Sequence, residues 1–427
     1  MRRRPLTTAL TLLAAFAVPL SVMYASGCFG GPDTVIDEPV TISVLHSQKG
    51  VGADLLRQMA AEFSASHPNI SVALEYGGDP SSVARRLREA VGAGEAPTLA
   101  EVPETALLGL RDAGVIQPLQ NYIASRSYGL ELEDLDDFWP CFVAPNTVGR
   151  QVWGMPFSHR VIALAYDPDL VPEPPRTWAE LMEVAGVLTR RGPDPANSTF
   201  GVALQPGADL FTLLLYSNGG LLLAGDPPKY VFNSPAGTTA LEYLYEIASL
   251  RKSVLLTTGS PARAVAEGRA AMAVGEVSWC ENDPSREVMA LAPLPDGGAP
   301  ATMAPGTSLV ITSGLSPAHG EAAWRFLRWL MRPENVARWS AATGDVPVRR
   351  SAMDEQVWRL GPGMSWNWRR IVGGLEAAAY PPVTPNWPRV KAEMTTAVSR
   401  YLLGEFGSSK TLLDGLVDSA NRSLGGP

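Results

Sequence analysis

The chain is 427 residues long, 46% hydrophobic and 18% charged, with a formal net charge of −8. That acidic balance, without any basic stripe carrying interleaved aromatics, excludes a nucleic-acid binder. The 3 cysteines and 4 histidines show no Cys-x-x-Cys or His-x-x-x-His spacing, so neither a metal nor a cofactor is expected.

Arg2, Arg3 and Arg4 open the chain, Leu6 to Tyr24 is uncharged and mostly apolar, and Ala25, Ser26 and Gly27 are small. A basic start, an apolar run of about nineteen residues and small residues at its end form a secretory signal. Cys28 follows at once, and the arrangement resembles the lipobox of bacterial lipoproteins. That resemblance implies an acylated Cys28 thiol, a mature chain beginning there and a lipid anchor in a membrane. Ala25 stands where lipoboxes usually carry Leu; an ordinary cleaved signal and an uncleaved anchor are the other readings. Each of the three puts the body of the protein outside the cytoplasm. Residues 28–39, short and bearing Gly, Pro and acidic side chains, read as a tether. Roughly 390 residues remain, more than one hydrophobic core usually serves, so two lobes are expected.

Val40 to Leu45 is β-branched and apolar and reads as a buried strand; Asp54 to Ser66 carries Leu55, Met59, Ala60 and Phe63 at helical spacing. His67-Pro68-Asn69 stops that helix and Ile70 to Tyr76 returns as a strand, which completes a β-α-β unit with parallel strands. The cycle repeats with a helix over Val83–Gly92, a strand over Thr98–Val102 and a helix over Ala106–Asp112. Such alternation predicts an α/β fold whose sheets are mainly parallel, with helices on both faces and a ligand crevice at the strand ends. Cys141 and Cys280 could pair after export, but two separate buried thiols suit lobes that move. His46, His67, His159 and His319 are scattered and read as surface or capping residues.

The strings Thr41-Ile-Ser-Val-Leu-His-Ser47, Phe63-Ser-Ala-Ser-His-Pro-Asn-Ile70, Gly94-Glu-Ala-Pro-Thr98 and Gly114-Val-Ile-Gln-Pro-Leu119 resemble the amino-terminal lobe of extracellular solute-binding proteins of ABC importers. The resemblance continues through Val152-Trp-Gly-Met-Pro-Phe157, Pro175-Arg-Thr-Trp-Ala-Glu-Leu181, Glu267-Gly-Arg-Ala-Ala-Met-Ala-Val274, Ala342-Thr-Gly344 and Val346-Pro-Val348. It is strongest toward the glycerol-3-phosphate and carbohydrate (maltose-type) lipoproteins. It implies a two-lobed periplasmic-binding-protein fold, type II-like, with several hinge crossovers. Residues 40–160 and 291–335 would form lobe one, and residues 161–290 and 336–424 lobe two. It also implies an exported monomer that captures a small solute by lobe closure and hands it to a membrane permease.

Candidate ligand contacts sit at strand ends. His46 and Ser47 follow the first strand, Tyr76 and Asp79 the second, and Glu104 the third. Glu104 stands where the resembled proteins place a polar cleft residue, although a carboxylate favourable to a helix start reads equally well. Trp279, after Ala271–Val274, stands where sugar-binding relatives present an aromatic; a packed core tryptophan is the other reading. Arg160 reads as an anion contact or an ordinary ion-pair partner, and Gly306 stands at the second crossover where the resembled glycerol-phosphate binders use a backbone group near a glycine, which implies a backbone contact. Trp366 and Trp368 alternate as on one side of an extended segment over the cleft mouth, whereas Trp387 reads as packing.

Where the glycerol-3-phosphate binders carry two tyrosines and an arginine, this chain has Pro80, Asp345 and Val383-Thr384. A phosphate would lose those donors, so an uncharged or weakly charged sugar or polyol derivative is expected. The alternatives are a glycerol-3-phosphate or glycerophosphodiester binder, a sensor lipoprotein without transport, and an exported glycan-active enzyme. No Gly-x-Ser-x-Gly elbow, P-loop or dinucleotide fingerprint supports the last, and no enzyme is expected.

Overall fold

The computed structural model describes residues 36–193, 198–277, 289–299, 301–361, 366–380, 382–405 and 407–424. From the amino terminus come β1 (Val40–His46), α1 (Gly50–Ser66), β2 (Ile70–Tyr76), α2 (Pro80–Ala93), β3 (Leu99–Pro103), α3 (Leu107–Asp112) and β4 (Met155–His159). One residue later the chain is in a second sheet, with β5 (Val161–Tyr166), α4 (Trp178–Leu188), β6 (Phe200–Leu204), α5 (Ala208–Ser217), α6 (Pro235–Tyr245), β7 (Val254–Leu256), β8 (Ala270–Val277) and β9 (Ala290–Ala292). It returns to the first sheet through β10 (Gly306–Ile311), α7 (Pro317–Leu330) and α8 (Pro333–Thr343). It ends on the second with α9 (Trp366–Gly373), α10 (Trp387–Leu402) and α11 (Ser409–Leu424).

Two five-stranded sheets result, ordered β2-β1-β3-β10-β4 and β7-β6-β8-β5-β9. Half of each is parallel, as β-α-β units require: Val40 lies opposite Ile70 and Val254 opposite Val202. The other half is antiparallel, because each closing strand enters from the opposite lobe and runs against its neighbours. Ile311 of β10 thus pairs with Leu99, and Val277 of β8 with Val161.

The first lobe's core joins distant parts of the sequence. Phe63 of α1 is fully buried, with its ring 5.0 Å from Phe326 and 5.8 Å from Trp329 of α7. Burying such a ring contributes about 2–3 kcal/mol. Residues 336–354 were expected in the second lobe. Instead α8 packs against α1, Arg338 pairs with Glu62 at 2.8 Å, and the Trp339 ring lies tilted 4.5 Å from Phe157. The aromatic and arginine of α8 match partners on the first lobe, so the chain leaves that lobe later.

The crossings lie side by side. The Ile162 N–H donates to the Met303 carbonyl at 2.8 Å and the Arg160 N–H to the Pro305 carbonyl at 3.2 Å. The third passage joins them through Ala379 N–H on the Thr302 carbonyl at 2.8 Å. A hinge built from a few adjacent strand-end residues can bend while both cores stay intact. Among the described residues no helix is long and apolar enough to cross a membrane, and no cluster of His, Cys, Asp or Glu could hold a metal ion. Cys141 is a free, buried thiol; Cys280 lies outside the described residues.

Candidate functional site

The ends of β3, β4, β8 and β10 meet between the lobes, and the polar residues there come from both sides. Glu104 follows β3 and is 6% exposed, and its Oε1 makes no hydrogen bond. Burial raises its pKa well above the ordinary carboxylate value, and Lys391 on α10 of the second lobe opposes that shift from across the cleft. Lys391 is itself held by Asp209 of α5 at 2.8 Å. Glu276, near the end of β8, is exposed yet desolvated, with its pKa raised chiefly by surrounding protein and lowered in part by Arg160. A carboxylate exposed but hemmed in looks into a concavity rather than out from a convex surface.

His159 closes the floor. Its ring is fully buried, its Nδ1–H donates to the Ala304 carbonyl at 3.1 Å, and Nε2 has no partner. Because a carbonyl only accepts, that bond fixes the tautomer. Glu104 Oε1 also lies 3.1 Å from Nδ1, but burial pushes the histidine down to about 4 and the glutamate up, so both favour their neutral forms. Gly306 makes room for this ring: a Cβ there would stand 2.5 Å from His159 Nδ1 and 2.3 Å from the Ser158 carbonyl oxygen. Its role is close packing against the histidine, which strand composition alone does not reveal.

Two buried carboxylates brace the first lobe's wall. Glu101 accepts from the Ser47 N–H at 2.9 Å, Gln48 Nε2 at 2.6 Å and Thr307 Oγ1 at 2.8 Å, which anchors the loop after β1. Asp345 accepts from Ser158 Oγ at 2.6 Å and Trp339 Nε1 at 2.9 Å, and Arg160 Nε lies 3.5 Å away. Arg160 is therefore an ion-pair partner at the hinge, with its guanidinium still half exposed.

His46 and Tyr76 come together at the ends of β1 and β2, on the side of the sheet where β3 also ends, and line a cavity of about 490 Å³ with Gln48, Lys49, Gly50 and Arg57. Their rings are 6.1 Å apart. His46 is buried, and burial together with the Arg57 charge lowers its pKa.

Other expectations are corrected. Asp79 is the N-cap of α2: Oδ1 accepts from the Ser81 N–H at 3.0 Å and the Ser82 N–H at 3.1 Å, and Oδ2 from Ser82 Oγ at 2.6 Å. Trp366 and Trp368 lie on a helix rather than an extended segment, and Trp368 is fully buried in the core, so it does not cover the cleft mouth. His46 and His159 are buried rather than at the surface, because each closes a strand that enters the lobe interface. Trp279 and Cys28 lie outside the described residues, and so does the side chain of Trp366. Glu101, Asp209, Glu276 and Lys391 escaped sequence reasoning. Glu101 alone had a signal, a carboxylate between Ala100 and Val102 of an otherwise apolar strand.

A family model described as bacterial extracellular solute-binding protein matches residues 58–364. The chain belongs to this family. As a solute-binding protein it is similar to the maltotriose-binding protein of Pyrococcus abyssi, 22% identical over 362 residues that cover 82% of this chain and 74% of the relative. It is also similar to the sn-glycerol-3-phosphate-binding periplasmic protein UgpB of Escherichia coli, 23% identical over 74% of this chain and 75% of UgpB. In fold this solute-binding protein resembles the cyclic alpha-maltosyl-1,6-maltose binding protein of Arthrobacter globiformis. The TM-score is 0.76 at 23% identity, over 90% of this chain and 99% of that one. These neighbours are two-lobed, as the two sheets and their paired crossings are here.

Proposed function

We propose that this protein is the substrate-binding subunit of an ABC importer, capturing a carbohydrate-like solute between its lobes and delivering it to a membrane permease. The observation that carries this reading is the carboxyl of Glu104, buried in the cleft, without a hydrogen bond of its own although His159 Nδ1 lies 3.1 Å away, and within the field of Lys391 from the opposite lobe. A buried carboxyl left without a hydrogen bond is costly, and a solute hydroxyl, which both donates and accepts, would supply the partner. The maltotriose-binding relative and the maltosyl-maltose-binding neighbour support a sugar as the source of that hydroxyl. Glu276, Asp209 and Lys391 then face the solute from the second lobe, and Trp279, two residues beyond β8, offers a ring for an apolar sugar face. Binding by both lobes favours the closed hinge.

Calorimetry with a panel of sugars and polyols tests this. At least one solute binds, and Glu104→Ala weakens it about five- to a hundredfold, the loss expected when a hydroxyl is left desolvated and unpaired at about 1–3 kcal/mol. The melting temperature of the unliganded protein holds, because the substitution removes a desolvated carboxylate rather than a core contact. Unchanged affinity with a lowered melting temperature would make Glu104 structural and the cleft assignment wrong.

We further propose that Cys28 carries the lipid anchor, on the strength of the small residues before it and the short spacer after it. Membrane fractionation decides: Cys28→Ser moves the protein to the soluble fraction, and an intact membrane association in that variant rules the anchor out.

A further inference from the structure

The cavity at the ends of β1 and β2 differs in chemistry from the acidic residues at the ends of β3 and β8. Helix α1, 17 residues long, begins at Gly50 without a side-chain cap on its first amides and with no acid in its first turn. Such an end carries roughly half a positive charge and three N–H groups that need acceptors. Gly50 sits at φ +51°, and a Cβ placed on it would meet nothing within 4 Å, so the approach to those amides is open. Lys49, immediately before the helix, holds its ammonium 5.6 Å from the Tyr76 ring centroid, and Arg57 lies about two turns along the same helix. A second and independent feature is His46, 6% exposed, whose ring lines the cavity and whose Nδ1 has no hydrogen-bond partner.

The neighbouring acids already hold partners, although the Asp79 charge still reaches Lys49. Asp54 pairs with Arg57 at 2.8 Å, Asp79 caps α2, and Glu101 accepts from Ser47, Gln48 and Thr307. What remains facing the cavity is mostly donors, the backbone amides, an ammonium and an imidazole, with the Gln48 amide oxygen beside the first turn as an acceptor among them. A neutral hydroxyl satisfies one of them, whereas an acceptor-only group with two or three oxygens satisfies several at once.

We infer that the solute carries an anionic group, a carboxylate or a phosphate, which seats at the N-terminus of α1 between Lys49, His46 and Tyr76. This rests on the reading of the chain as a solute receptor and narrows the solute to an acidic sugar. Its hydroxyls face Glu104 and Glu276 while its charge lies at the other end of the crevice. Burial first and the Arg57 charge second lower the pKa of His46, so some of that charge reaches the cavity although Arg57 is paired with Asp54.

The test is calorimetry with sugars offered with and without an acidic group. Glucuronate and glucose 6-phosphate are compared with glucose, and maltobionate and maltose 1-phosphate with maltose. At low salt an acidic member binds about tenfold or more tightly than its neutral partner. Lys49→Gln abolishes that preference while changing the neutral partner's affinity less than about threefold, and it leaves the melting temperature unchanged because Lys49 is exposed. The carboxylate and phosphate arms show which group the seat takes. A neutral sugar that binds as tightly as every acidic one, or a preference that survives Lys49→Gln combined with Arg57→Gln, overturns the anion seat and leaves the solute receptor standing. If no member of the panel binds, both readings fall.

Discussion

At the scale of single residues, the two neutral-leaning groups on the cleft floor tilt stability in opposite directions with pH. His159 has its pKa pushed down to about 4 by burial, so between its unfolded value and that one the unfolded chain binds the extra proton. Its stabilising contribution is complete near pH 7 and drains away as pH falls. Going from pH 7 to pH 5 costs roughly 2 kcal/mol from this group alone. Glu104 does the reverse: its raised pKa makes the folded chain the better proton binder above the ordinary carboxylate range, so stability falls as pH rises. Urea unfolding of His159→Gln at pH 7 and pH 5 isolates the first effect. The variant loses markedly less stability than the parent over that interval; an equal loss in both would mean the imidazole is not buried in its neutral form.

At the scale of elements, Asp79 shows how a polar residue at a strand end can serve the helix that follows. Its carboxylate takes three donors from Ser81 and Ser82. Asp79→Ala therefore costs about 1 kcal/mol in denaturant unfolding, and Asp79→Asn, which keeps an acceptor in place, recovers most of it. A loss of the same size in both variants would count against the cap. The strand-helix rhythm of residues 40–112 was legible because β-branched runs and a spaced apolar face each have their own period. The first turn of α1 was not: Gly50-Val51-Gly52 is poor in helix formers, so propensity pointed four residues too late. Trp366 and Trp368 misled for a related reason. Two aromatics separated by one residue fit a strand's period, while the buried series Trp368, Ile371, Val372 and Leu375 carries the helical one. Of the cleft, Glu104 and the β1 end were visible as polar residues closing apolar strands. Asp209 and Lys391 were not, because the partnership of α5 and α10 exists only once the second lobe has packed.

For the whole molecule, the fourth strand of the first sheet comes from more than 200 positions downstream of the third: Ile311 of β10 lies against Leu99, and the lobe's aromatic core waits for Phe326, Trp329 and Trp339. Until those residues exist, β3 has an open edge and Phe63 lacks the rings that cover it. A ribosome that has delivered residues 40–160 has thus made most of a lobe that cannot yet hold itself together, since non-local pairing has to wait for both partners. The chain stays loose while most of it is being synthesised, and a loose chain is what can be threaded through a narrow translocation channel before it locks.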